Sequence, residues 1–576
     1  MCTCTGNRGL AFAMVLVLAG LWPVAPVHAQ NVKLPGAADP SRAFQNRNEK
    51  GLAGDSLSAP DAEKKAIAPA PEGSENLKFF LKDITIENMT AYPAATMHPI
   101  YARDVGHEIS VARLFEIVAA IQQKYLDDGY ALTKVTIPNQ EIAGGHVRLA
   151  VIEGYVGEVQ MDERFLHSYV LDDAVRRIRA MKPLNVKTLE RIMLIVNDLP
   201  DLDASAVLAK PSQALDGQNG AVKLVLEKNE NREQRASVTV DNHGSVFTGP
   251  FETKINGRLF HVGPNYSALD MGGAAAVPFN EQKSAYASYT LPLFGASGTT
   301  AQLRMDRAVT HPGASLRFLD IKGLSSEYNA DIYYPVIRRR DQTLRVGGGF
   351  SYKNAQTKLL GEEFYDDRLR VVYAYATYNL LDSYAGYNSL YARFSKGLDI
   401  LGAHKTGSDN LSREQGQSDF RKMEFTAGRI QALPRNFELY TVLNGQYTNN
   451  PLLSSEEFGF GGAQMGRGYD PSEITGDRGI AASVELRYNL RTDVWNKGVA
   501  LQPYVFYDIG KVWNIDPGAK DKISAASTGL GLRADIANDW TTDLNVAAPL
   551  TKSAENGPKY QDGLGARVLF SLTRRF

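Results

Sequence analysis

The sequence holds only two cysteines, Cys2 and Cys4, and both precede its one long apolar run, Leu10 to Leu21. Arg8 before that run and Val27-His28-Ala29 after it give the layout of a secretory signal over residues 1–29. The run is short of the roughly 20 residues a spanning helix needs. Removing the signal leaves a chain without cysteine, which excludes disulfides, thiolate metal centres and cysteine nucleophiles. No cysteine follows the run, so no lipid anchor is expected. An excess of one charge sign is lacking as well: Arg8 is the only charged residue of the signal, and its loss lowers the 63 Lys and Arg to 62, against 64 Asp and Glu. Nothing in that balance favours nucleic acid. No later segment offers roughly 18 uninterrupted apolar residues, so a membrane-spanning form of this chain must be a closed barrel.

What is present divides into three regions. Residues 30–76 are rich in Ala, Pro, Gly and charge and read as a linker. One short helix is predicted inside it, Pro40 to Lys50, with Asp39 as N-cap and Gly51 as the stop. Residues 77–153 predict a small α/β module. It has a strand at Phe79 to Ile86, a helix carrying Val111, Leu114, Phe115, Val118, Ile121 and Tyr125 up to Gly129, and strands at Ala131 to Ile137 and Val147 to Ile152. The stripe on that helix is read as core packing. Residues 154–230 repeat the order, with a strand at Tyr155 to Met161, helices at Leu166 to Ala180 and Val186 to Asp198, and strands at Ala204 to Leu208 and Val222 to Glu227. The order strand, helix, helix, strand, strand resembles the POTRA (polypeptide-transport-associated) module.

Residues 231–576 change to short alternating segments between turn residues, and 21 of the 27 tyrosines lie there, as aromatic girdles require. Val484, Leu486, Tyr488 and Leu490 alternate with Ser483, Glu485, Arg487 and Asn489, and Trp540, Thr542, Leu544 and Val546 with Thr541, Asp543 and Asn545. A soluble β-sandwich also alternates, but some 345 residues without helical periodicity are too many for one. We count 16 or 17 strands, depending on whether Leu316 to Ile337 is one or two, and the even-number preference of bacterial barrels selects 16. In the last strand Leu564, Ala566, Val568, Phe570, Leu572 and Phe576 share one face, and Arg574 interrupts the row near its end. The expected fold is thus a transmembrane β-barrel of about 16 antiparallel strands behind two amino-terminal α/β modules.

Two segments stand apart from the strand background. Residues 454–479 are Gly-rich and contain Gly466, Arg467, Gly468 and Tyr469. The strand Leu501 to Gly510 contains Phe506, Asp508 and Gly510, which alternation turns to the lumen while Val505, Tyr507 and Ile509 face lipid. Spacing alone favours reading an Arg between glycines in a loop as a solvated surface charge, with a partner for a lumenal carboxylate as the alternative. Glu485, on the same side as Asp508, is a second candidate carboxylate.

The RGY loop and the FxDxG strand resemble the paired signature of two-partner secretion transporters, the exporters of filamentous haemagglutinins and haemolysins. Asp241-Asn242-His243-Gly244-Ser245 with Thr248-Gly249 resembles that family's first barrel hairpin. Gly466 stands where the family usually has Val, and the predicted amino-terminal helix is short for the family's plug helix. The resemblance implies an outer-membrane pore of a Gram-negative cell with a periplasmic arm, an inward loop whose Arg467 meets Asp508, and a secreted partner exoprotein captured by the POTRA-like modules. It also implies outer-membrane lipid around the wall and barrel assembly machinery reading the carboxy-terminal Phe576. No cofactor, metal or nucleic acid is expected.

The rival within the superfamily is a barrel-assembly factor. A barrel enzyme finds no support: His243, His261, His311 and His404 are scattered, and neither a GxSxG elbow nor a GxxxxGK loop occurs. A diffusion porin leaves residues 77–229 without a role.

Overall fold

In the computed structural model the described residues are 34–43, 70–212, 219–229, 235–277, 279–494, 497–516, 521–537, 539–551 and 565–576. The predicted signal, most of the linker including Gly51, the predicted helix beyond Ala43, and Leu564 lie outside them. Of that helix, the described part is a single 3-10 turn, Pro40–Arg42, capped by Asp39, whose carboxylate accepts the Ser41 N–H at 2.9 Å.

The first module contains β1 (Lys78–Phe80), β2 (Asp83–Glu87), α1 (Ala94–Tyr101), β3 (Glu108–Ser110), α2 (Val111–Asp127), β4 (Lys134–Thr136) and β5 (His146–Ile152). Ser110 caps α2 by accepting the Arg113 N–H at 3.2 Å, and Leu114, Ile117, Val118, Ile121 and Tyr125 form its buried stripe. Ile117 takes the inner place expected for Phe115, which sits at the stripe's margin. The single strand predicted at Phe79 to Ile86 is two, because the chain changes partners at Leu81. There β1 pairs antiparallel with β3 and β2 pairs parallel with β5. Helix α1 escaped the sequence reading: Pro99 lies inside it and only Met97 and Tyr101 are buried. The second module, β6 (Tyr155–Met161), α3 (Tyr169–Ala180), α4 (Val186–Asn197), β7 (Ala204–Ala209) and β8 (Ala221–Lys228), has sheet order β6-β8-β7. The modules meet at the end of α2: Val186 N donates to Gly129 O at 2.8 Å and Asn185 Nδ2 to Asp128 O at 2.9 Å.

The barrel starts with β9 (Ala236–Asp241), β10 (Phe251–Phe260), β11 (Ala268–Val277), β12 (Gln282–Pro292), β13 (Thr300–Thr310), β14 (Lys322–Arg338) and β15 (Gln342–Leu359). It continues with β16 (Glu362–Leu381), β17 (Gly386–Gly397), β18 (Arg421–Ala432) and β19 (Phe437–Thr448). An inner hairpin, β20 (Phe458–Phe460) and β21 (Ile474–Gly476), interrupts the wall. The wall resumes with β22 (Arg478–Tyr488) and its continuation β23 (Leu490–Val494), then β24 (Lys497–Trp513), β25 (Lys522–Ile536), β26 (Trp540–Pro549) and β27 (Arg567–Arg575). Since β22 and β23 both pair with β24, they are one strand, and the barrel closes antiparallel with sixteen. The strand-count doubt resolves because residues 314–319 form a 3-10 turn and Lys322–Arg338 is a single strand. Closure joins β27 to β9 over a short register, from Ser571 opposite Asp241 to Arg575 opposite Ser237.

Alternation sets the two faces. Val505, Tyr507 and Ile509 point outward at 52%, 43% and 46% exposure, while Phe506 and Asp508 are buried at 3% and 0%. Arg574, on the apolar face of the last strand, lies over the rings of Trp540 and Phe576 at 5.0 and 4.9 Å, where aromatic girdles accommodate a guanidinium.

The second module packs on the turns at one end of the barrel. Arg338 pairs with Asp198 at 2.7 Å, Arg191 donates to Pro335 O at 2.6 Å, and the Ala296 N–H donates to Asp173 at 2.9 Å. The loop between β19 and β22 starts from the opposite end.

Candidate functional site

The loop of residues 449–477 folds back into the lumen because its backbone contains turns that side chains would obstruct. Gly466 has φ +81°, and a Cβ on Gly468 would lie 2.8 Å from Ser527 Cβ and Pro549 N. Between them, Arg467 is driven against the wall made by β22, β24 and β25.

Arg467 reaches Asp508 with both faces of its fork, Nη2 to Oδ1 at 2.7 Å and Nε to Oδ2 at 3.0 Å. The backbone N–H groups of Gly466 and Arg467 donate to the same Oδ2 at 3.0 and 3.1 Å, so one carboxylate is enclosed by two successive amides and a bidentate guanidinium. Nη1 meets Glu485 at 2.5 Å, and the guanidinium plane lies 3.5 Å from the centre of the Phe506 ring. Arg467, Asp508, Glu485 and Phe506 are all buried. Gly510 serves the same packing from the wall: a Cβ there would stand 2.3 Å from the Phe460 ring of the inner hairpin. Tyr469 is fully buried, and its hydroxyl bridges Ala526 O and Thr551 at 2.8 Å.

The sequence-predicted residues thus lie in one cluster, and the structure adds members the sequence reading did not assign to it. Ser483 accepts from Arg467 at 3.0 Å and donates to Asp508 at 2.7 Å. Arg487 and Arg533 both pair with Glu485, at 2.7 and 3.0 Å, and Arg533 also pairs with Asp543 at 2.8 Å. Alternation places these side chains on the lumen face, but no motif marks them. Removing one partner of a buried pair leaves an uncompensated charge and costs about 3–5 kcal/mol. The cost falls on Asp508, because Glu485 keeps Arg487 and Arg533.

A second group, whose partners no motif marks, joins the loop to the segment 34–43, which also lies inside the barrel. Arg42 donates to Ser454 O at 2.8 Å and lies 3.6 Å from Glu457; Asp39 accepts from Tyr365 at 2.6 Å. Glu457 is shared with Arg413 at 3.3 Å, and Arg413 also pairs with Asp477 at 2.5 Å. Glu456 holds Lys353 and Lys422 at 2.8 and 2.7 Å.

A family model described as haemolysin secretion/activation protein ShlB/FhaC/HecB matches residues 220–534, a span containing Arg467, Glu485 and Asp508. A POTRA domain model of the ShlB type matches residues 79–154. The heme/hemopexin transporter protein HuxB of Haemophilus influenzae is 25% identical, over 84% of this chain and 86% of its own. The hemolysin transporter protein ShlB of Serratia marcescens is 23% identical, over 81% of each. The solved structure of CdiB from Escherichia coli shares the fold with a TM-score of 0.74 at 17% identity, covering 88% of this chain and 93% of its own.

Proposed function

This chain belongs to the haemolysin secretion/activation family and is an outer-membrane pore that exports a partner exoprotein; we propose that it does so by removing the segment 34–43 from a lumen whose inward loop is pinned by Arg467 and Asp508. The observation that carries this reading is that the lumen holds two separable pieces rather than a continuous core, one fastened to the wall by a buried charge cluster and the other a short amino-terminal stretch.

Capture starts in the periplasm. In the sheet order β6-β8-β7 the outer edge of β7 has no strand beside it among the described residues, and Val207 and Leu208 on that strand are exposed. An extended amino-terminal segment of the partner adds there as a strand, with backbone hydrogen bonds giving affinity. It then passes into the polar lumen, and folding outside makes passage directional. The chain performs no catalytic step in this scheme: transport draws on binding and folding energy. Phe576, exposed on the outer face beside Arg574, is the residue offered to barrel assembly machinery, and the apolar face is offered to lipid.

The test is co-expression with the large exoprotein encoded by a neighbouring gene. The exoprotein is expected in the medium only when this chain is present; equal amounts without it would contradict export.

A further inference from the structure

The hairpin motif Asp241 to Gly249 takes no part in the pinned cluster, yet it is built with care. Ser245 Oγ accepts the N–H groups of Phe247 and Thr248, both at 3.1 Å, and a Cβ on Gly244 would strike Gly249 O. Its inner side, with His243, Ser245 and Thr248, lines a cavity of about 380 Å³. At about 30 Å³ per water this holds on the order of a dozen waters. The cavity follows the wall from β10 to β13, and its remaining sides are Ala37, Asp39 and Ala43 of the amino-terminal segment and Gly461 to Gln464 at the loop tip.

The two sides of the lumen differ in what opening them requires. On the β16 to β25 side the loops are sealed by two apolar clusters, one of Leu369, Val371, Leu411, Phe420, Leu452 and Leu453, the other built around Phe460 and Tyr469. Opening there exposes both clusters and strips the partners from Asp508. On the β10 to β13 side, among the described residues, the cavity is bordered toward the rest of the lumen by the segment 34–43 and the loop tip Gly461 to Gln464. Its apolar anchorage is small, Leu34 beside Ile321 and Tyr365, and Ala43 against Ala308. The charges on this wall are internally matched: Lys254 pairs with Asp241 at 2.7 Å and Glu252 at 3.1 Å, and Arg304 with Asp306 at 2.6 Å. Between them stand small groups such as Gly273, Ala274 and Ser284. Such a surface hydrates a passing chain without holding any one side chain.

We propose that the β10 to β13 wall, together with the Asp241 to Gly249 hairpin, is the track along which the exported polypeptide moves as an extended, hydrated chain. The Arg467 loop stays in place throughout, and departure of the segment 34–43 widens the existing cavity into the path. This rests on the export reading above.

The full chain, with Cys2 and Cys4 replaced by serine, receives single cysteines at Ser284→Cys on the proposed track or Thr426→Cys on the lumen face of β18, and is co-expressed with the neighbouring exoprotein. A membrane-impermeant maleimide carrying a bulky group is added to the cells, labelling is followed by mass, and export is read in the medium. The Ser284→Cys protein is expected to label faster when the exoprotein is co-expressed, and labelling is expected to stop export; Thr426→Cys is expected to show neither effect. Export-dependent labelling at residue 426, or undiminished export by fully labelled Ser284→Cys, would overturn the track. Absence of export by both unlabelled proteins, against export by the parent chain, would mean that the substitutions themselves obstruct it and would overturn the hydrated, permissive wall. Absence of export by the parent chain would overturn the export reading and the track with it.

Discussion

At the residue scale the decisive group is Asp508. It is fully buried, and its ligands come mainly from the loop: the Arg467 fork and the backbone N–H groups of Gly466 and Arg467. Lysine offers a point charge in place of a fork, so Arg467→Lys is not a conservative change here. Gly510 is tied to the same packing through Phe460. Gly510→Ala is therefore expected to displace the inner hairpin while leaving the wall strands paired, at a cost of about 1–3 kcal/mol for overpacking. The check is limited proteolysis of intact outer membranes: cleavage within residues 449–477 should rise while the barrel core stays resistant. Resistance unchanged from the parent chain would remove Gly510 from the account. The lumenal side of Asp508 and Glu485 was legible in the sequence because a strand has a strict period of two. Ser483 and Arg533 obey the same period, but a serine and an arginine on a polar face look like any other lumen residues until the loop's position is known.

At the element scale two segments are expected to act separately. The turn Pro40–Arg42 is held through Arg42 and Asp39, and Arg42→Ala removes its contacts to Ser454 and Glu457. Glu457 retains Arg413, so the loop is not left with an unpaired buried carboxylate. The expected result is a larger single-channel conductance in planar bilayers with the Arg467 loop still protease-resistant; conductance equal to that of the parent chain would show that the segment does not obstruct the pore. In the arm, a double change Val207→Asp with Leu208→Asp places charge on the free edge of β7. A loss of about 1.4 kcal/mol at that edge corresponds to about a tenfold drop in partner capture, to be measured as exoprotein crosslinked to the intact transporter in cells. Elements were legible where periodicity was strong: α2, α4 and the β6 strand lie close to their predicted bounds. They were hidden where a strand changed sheet partner without changing its apolar pattern, as at Leu81, and where prolines masked a short helix, as in α1.

At the scale of the whole molecule, the arm and barrel are joined by ion pairs, backbone hydrogen bonds and shared apolar packing, with Tyr266 and Ala296 of the barrel turns in the second module's core. Asp173 of α3 accepts the Ala296 N–H and pairs with Arg177 at 2.7 Å and with Arg176. Burial alone would push its pKa up, but the amide and the two guanidinium groups hold it below the usual carboxylate range. A folded-state pKa below the unfolded value of about 3.9 contributes its full stabilisation above that pH and loses it as pH falls through the folded value. Protection of the Ala296 amide from hydrogen exchange, corrected for intrinsic rates, should therefore be constant from neutral pH down to about pH 4 and decline below it. Asp173→Asn should lower that protection at neutral pH, by about 1.5–3 kcal/mol for a charged hydrogen bond, and abolish the acid step. Sixteen strands and an α/β arm could be read from alternation and repeat, since each is a statement about local period. The residence of residues 34–43 inside a barrel that begins some two hundred positions later is a long-range contact, for which local period has no signal.

On the proposed mechanism, export depends on the pinned loop and not merely on the presence of a barrel. This dependence is tested most directly by Arg467→Ala, measuring exoprotein in the medium alongside heat-modifiable, membrane-inserted transporter. The change leaves a buried carboxylate uncompensated at about 3–5 kcal/mol, so secretion is expected to fall at least about tenfold while the amount of inserted barrel stays near that of the parent chain. Secretion at the parent level from a normally inserted Arg467→Ala barrel would contradict the account.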